Sequence, residues 1–116
     1  MRRAFLGIAL CALVLASAAW AVANHPPPTG KYGCALGPGG EYAGDAYILD
    51  GKHYRLNKSK VGVFVTHGRK LTFTSGVWHG LFNGTWIVDT AHRPQIALTE
   101  LSSGFTVEYC EREKGL

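Results

Sequence analysis

Five histidines, three cysteines and a glycine-flanked tryptophan are the side chains best suited to chemistry in this 116-residue chain. His25, His53, His67, His79 and His92 show no H-x-H, H-x₃-H or cysteine–histidine spacing, so no local metal motif forms, and neither a metal nor a cofactor is expected. Ser59, Ser75, Ser102 and Ser103 lack a G-x-S-x-G setting, and no Ser/His/Asp order stands out. Asp45, Asp50 and Asp89 fall in or beside turn sequences, where aspartate commonly serves the backbone. With no nucleophile–base pair and no carboxylate pair to assign, the expectation is a protein that is not an enzyme.

The most site-like segment is Ser75-Gly76-Val77-Trp78-His79-Gly80. A large aromatic on a loop flanked by glycines can anchor a partner, so this is the candidate binding loop. The competing structural role is an aromatic folded over the open end of the core. Lys52, Arg55, Lys58 and Lys60 form a basic cluster that could meet an anionic surface, or simply be a solvated hairpin. Trp86 lies in a strand-like run and is expected in the core.

The elements that must position these residues begin with an address. Residues 1–23 run Met-Arg-Arg, then an apolar stretch, then small residues with A-x-A-like sites ending at Ala21 and Ala23, which is the pattern of a cleavable secretory signal. Cleavage after Ala23 is favoured, because Asn24-His25-Pro26 opens a polar, proline-rich lead-in over 24–30. Arg2-Arg3 also resembles the core of a twin-arginine export signal. The leader holds 19 of the apolar residues and two of the twelve basic ones, leaving 35 apolar residues in 93 and ten Lys/Arg against eight Asp/Glu. A net charge of +2 on the remainder argues against a nucleic-acid partner, and the length excludes several domains. The expected location is secreted or periplasmic, with no membrane span once the leader is removed.

Cys11 falls in the leader, so Cys34 and Cys110 remain, one near each end of the mature chain. An even pair in an exported protein forms one structural disulfide. Closing so long a loop is worth about 4–5 kcal/mol in the chain-entropy picture.

From Gly30 onward, short runs of Val, Ile, Thr, Tyr and Phe alternate with glycine turns, an all-β pattern. Eight strands are expected near 31–36, 43–49, 52–57, 61–66, 70–75, 81–88, 95–100 and 104–111. A two-residue turn at Asp50-Gly51 would pair Tyr47 with Tyr54 and put Tyr47, Leu49, Tyr54 and Leu56 on one face. A three-residue turn at His67-Gly68-Arg69 would pair Val65 with Leu71, collecting Val61, Val63, Val65, Leu71 and Phe73 on the core face and leaving Phe64 outside. The last strand alternates Phe105, Val107 and Tyr109 with Thr106, Glu108 and Cys110. Eight sequential antiparallel strands close into an up-and-down barrel over 31–112, with a short tail at 113–116, and Cys34–Cys110 would pin its first strand to its last. A two-sheet sandwich with the same bridge is the alternative.

The Gly30-Lys31-Tyr32-Gly33-Cys34 opening, the Tyr47–Tyr54 hairpin, Gly84-Thr85-Trp86 and the terminal Cys110 together resemble small exported bacterial all-β domains of uncharacterised function. A fainter likeness is to periplasmic inhibitors of c-type lysozyme, small barrels with a Tyr-x-Cys opening and a late cysteine. That likeness implies an inhibitory loop whose nearest counterpart is Ser75-Gly76, although Val77-Trp78-His79 depart from its pattern. The resulting expectation is a non-catalytic domain that binds a protein or an envelope component through its loops. The alternatives are lysozyme inhibition and a small apolar ligand held among Tyr47, Tyr54 and Trp86.

Overall fold

Alternation of inward apolar and outward polar residues, broken by turn-forming glycine and aspartate, yields eight strands in chain order. They are β1 (Gly30–Leu36), β2 (Tyr42–Ile48), β3 (His53–Leu56), β4 (Gly62–His67), β5 (Lys70–Phe73), β6 (Phe82–Val88), β7 (Pro94–Glu100) and β8 (Thr106–Arg112). The computed structural model describes residues 24–37 and 39–116, so the expected leader at 1–23 and its cleavage sites lie outside the described residues. Each strand pairs with the next, and β8 returns to pair with β1, giving a closed antiparallel barrel. Closure leaves no ladder edge open to another chain.

The Cys34–Cys110 disulfide sits on this seam, where Cys34 of β1 stands opposite Cys110 of β8. Both cysteines are buried and point inward. This parity decides which face of β8 is core. Glu108 shares it and is buried, whereas Tyr109 and Val107 lie on the outer wall.

Two hairpins are shifted by one residue from the expected registers. In the first, Ile48 faces Tyr54 and Tyr47 faces Arg55, with three residues in the turn. The cause is Asp50, whose Oδ1 accepts the amides of Lys52 and His53, each at 2.8 Å, in a tight aspartate-capped loop. Tyr47 and Leu49 therefore lie outside, while Ala46, Ile48 and Tyr54 fill the interior. In the second, Phe64 faces Phe73 and His67 faces Lys70 across a two-residue turn, Gly68-Arg69. Gly68 has φ 61°, as the first central position of a type II′ turn requires. Phe64 is thus core, and Val61 and Val65 are exposed. The two-residue turn, and not the number of apolar side chains, sets which face of β4 turns inward.

The interior is packed with Tyr32, Tyr54, Phe64, Phe73 and Trp86, with Ile48, Leu71, Ile96 and Leu98 between them. Antiparallel alternation sends the turns at 49–53, 68–69 and 89–93 to one end, together with both termini of the barrel. The longer loops at 37–41, 57–61, 74–81 and 101–105 go to the other. We call these the charged end and the loop end. The lead-in closes the charged end: Trp86 Nε1–H donates to the His25 carbonyl at 2.6 Å, Tyr32 Oη–H to the Pro28 carbonyl at 2.6 Å, and the His25 amide to the Gly68 carbonyl at 2.9 Å. Pro27 is buried beneath this strap. Arg69 lies over the Trp86 ring, 4.3 Å from its centroid.

Candidate functional site

The loop end is closed from above by the candidate binding loop. Trp78 is only 2% exposed. Its ring stacks on Tyr54 (centroids 5.1 Å apart, planes 12° apart) and meets Phe73 edge-on at 5.1 Å. Tyr54 organises the loop as well as supporting the ring: its hydroxyl donates to the Ser75 carbonyl at 2.9 Å and accepts the Trp78 amide at 3.0 Å. Ser75 Oγ accepts the Val63 amide at 3.0 Å, so this hydroxyl is spent within the fold. Gly76 (φ 92°) lies so close to Gly62 and Tyr54 that a Cβ on it would fall 2.7 Å from Gly62 Cα and 2.6 Å from the tyrosine hydroxyl. The two glycines allow the loop to descend into the barrel mouth and insert its indole.

The segment expected to present an anchor therefore presents its flanks. Val77, His79 and Gly80 are exposed, and Trp78 is a plug. The apolar surface at this end comes mainly from residues that sequence reasoning did not single out. Val77, Leu81, Leu101 and Phe105 stand 41%, 54%, 49% and 71% exposed on the loops. The Leu101 amide donates to the Leu81 carbonyl at 3.0 Å, which brings the 74–81 and 101–105 loops side by side. Leu36, Tyr42 and Val61 add exposed apolar surface where β1, β2 and β4 meet their loops. Seven of the eleven most exposed large apolar residues among the described residues thus sit at one end. The depression there is shallow, about 150 Å³ between Gly80, Leu81, Phe82, Glu100 and Ser102.

The charged end has the opposite character. It carries the ion pairs Lys31–Glu113 (3.3 Å) and Arg93–Glu111 (3.3 Å) and a hydrogen bond between His53 Nδ1 and Asp50 Oδ2 (2.8 Å). Amides of Lys52 and His53, together with the His53 ring, hold the Asp50 carboxyl below its usual range. Asp89 caps its turn likewise, accepting the amides of Ala91 and Arg93 at 2.9 Å each. The neighbouring carboxyls of Glu111 and Asp89 act on each other, pushing Glu111 up and Asp89 down. A depression of about 470 Å³ runs along the outer wall from Glu111, past Gly33, Ala35, Gln95 and Tyr109, to Gly37 and Gly39 at the loop end.

The basic cluster is split by the fold. Lys52 lies in the turn at the charged end, and Arg55 sits mid-wall over Tyr47 at 5.1 Å. Lys58 and Lys60 lie in the loop before β4, at the loop end. Of the histidines, only His79 is at the loop end.

Glu108 was not anticipated. It is 7% exposed, with Oε2 3.9 Å from Cys110 Sγ, and burial pushes its carboxyl up. Its signal in the sequence was parity, since it shares a strand face with the cysteine two residues on. Cys34, Glu108 and Cys110 lie together as metal-donor types, but the disulfide occupies both sulphurs. Side chains fill the space among Tyr54, Trp86 and their neighbours, and Tyr47 points outward, away from the site expected for an apolar ligand.

No family model, curated protein or solved structure matches this chain. No helix among the described residues is long and apolar enough to cross a membrane.

Proposed function

We propose that this protein is an exported, non-catalytic β-barrel that docks through its loop end onto a protein or an envelope component. The observation that carries the reading is the axial asymmetry of the surface. Exposed Val77, Leu81, Leu101 and Phe105 gather at one end, and the ion pairs of Lys31 and Arg93 lie at the other. Clustered apolar side chains on loop tips carry a solvation cost that a contact relieves. The buried disulfide supports an oxidising destination, in keeping with the signal pattern of residues 1–23.

The test is a Leu81→Ser/Phe105→Ser double variant. Both side chains are exposed, so the melting temperature should stay within a few degrees of wild type. Retention of the protein on an envelope fraction should fall at least tenfold. Unchanged retention would remove the loop end as the contact surface. N-terminal sequencing of the exported protein should begin at Asn24, and an intact Met1 would refute the leader.

A further inference from the structure

We infer that the surface onto which the loop end docks is a lipid bilayer interface bearing anionic headgroups. This inference rests on the docking reading above and names its partner. Three observations favour lipid over a folded protein. First, the apolar side chains stand on two adjoining loops beside a plugged mouth, and the depression among them is only about 150 Å³. A rigid partner anchors its hot spots in pockets, whereas a convex set of tips suits a deformable apolar phase. Second, Phe105, the most exposed of the four tip residues, is at a turn supported by backbone bonds. The Gly104 amide donates to the Glu100 carbonyl and the Glu100 amide to the Phe105 carbonyl, both at 2.8 Å, so the ring is held out from the barrel. Third, Lys58 and Lys60 lie just before Val61 at the same end and make no ion pair among the described residues.

An ammonium on a four-carbon stem beside an inserted apolar residue can reach headgroup phosphates while its methylenes cover the acyl boundary. Glu41 and Glu100 share this end, so the charge contribution is local to the Lys58–Lys60 side and the apolar tips carry most of the binding. The barrel wall needs no change to dock, because every strand is already paired.

The experiment is co-sedimentation of the disulfide-bonded protein with vesicles of phosphatidylcholine alone, or of equal parts phosphatidylcholine and phosphatidylglycerol. Wild type should sediment with the anionic vesicles and less with the neutral ones. Leu101→Ser/Phe105→Ser should lower the partition coefficient about tenfold or more on both. Lys58→Glu/Lys60→Glu should lower it roughly tenfold on anionic vesicles only. Leu49→Ser, at the charged end, should change it less than twofold. Wild type that ignores both vesicle types overturns the inference, as does a Leu49→Ser loss equal to the tip loss. If vesicles are ignored but an envelope protein is captured in a Phe105-dependent manner, the lipid partner is refuted and the docking reading stands. If Phe105 affects neither, both fall.

Discussion

Replacing Trp78 with alanine gives the sharpest test of how the loop end is built. At 2% exposure the indole buries about 200 Å² of side chain, worth about 5 kcal/mol at 25 cal/mol per Å². The stack on Tyr54 and the edge contact with Phe73 add to this, and partial collapse of the cavity subtracts from it. The net loss expected is about 3–5 kcal/mol, a large share of the ~5–15 kcal/mol that holds a typical domain together. For a domain near 93 residues this lowers the melting temperature by roughly 15–30 °C. Thermal melts followed by near-ultraviolet circular dichroism would read it. Trp78→Phe, which keeps a ring on Tyr54, should recover about half of the loss. A Trp78→Ala variant melting within 5 °C of wild type would refute the plug and return the indole to the surface as a contact residue.

Three further outcomes follow from the interior and its closures. Replacing both Cys34 and Cys110 by alanine should cost about 4–5 kcal/mol in urea denaturation, and in the wild type the buried bridge should yield to dithiothreitol only as fast as the barrel opens. Reduction that accelerates in proportion to reductant at every concentration would contradict that burial. Glu108, raised by burial, holds its proton more tightly folded than unfolded, so it costs nothing below its unfolded value and reduces stability as pH climbs through the window above it. Glu108→Gln should therefore be more stable than wild type at pH 7 and equal to it near pH 4, and parallel pH curves for the two proteins would dismiss the effect. Deleting residues 24–28 strips the acceptors from Trp86 and Tyr32, with an expected loss of roughly 2–3 kcal/mol and red-shifted tryptophan emission. An unchanged melt would show that the strap is ornamental.

The eight strands, their order and the bridge on the closing seam were legible because glycine punctuation and cysteine placement are strong local signals. Register was less legible. Asp50 enlarges one turn by a residue through side-chain bonds to two amides, and Gly68 shortens the next, each inverting which side chains face in. Counting apolar residues favoured the valines of β4, but the turn at Gly68-Arg69 sets the opposite parity and turns Phe64 inward. The candidate loop was legible as a segment, but the choice between the two roles weighed for Trp78, anchor or cap over the core, was not, because a glycine-flanked tryptophan reads alike whether it points out or in. The contact between Gly76 and Gly62 that turns it inward joins residues fourteen apart. Exposure of Leu101 and Phe105 was hidden for a related reason: Phe105 fits the alternation of β8, and only the inward parity of Cys110 sends that face to the wall.

The seam between β1 and β8 has a consequence for how the molecule can be held. The lead-in and the tail both leave from the charged end, where the Glu113 amide donates to the Lys31 carbonyl at 3.0 Å and the Leu116 amide to that of His92 at 3.0 Å. A tether, tag or fused domain at either terminus thus emerges on the side away from Phe105 and Leu101. A molecule immobilised by its terminus is held at the end opposite the apolar loops, which leaves those loops clear of the attachment point. The same geometry leaves the loop end clear of whatever precedes residue 24.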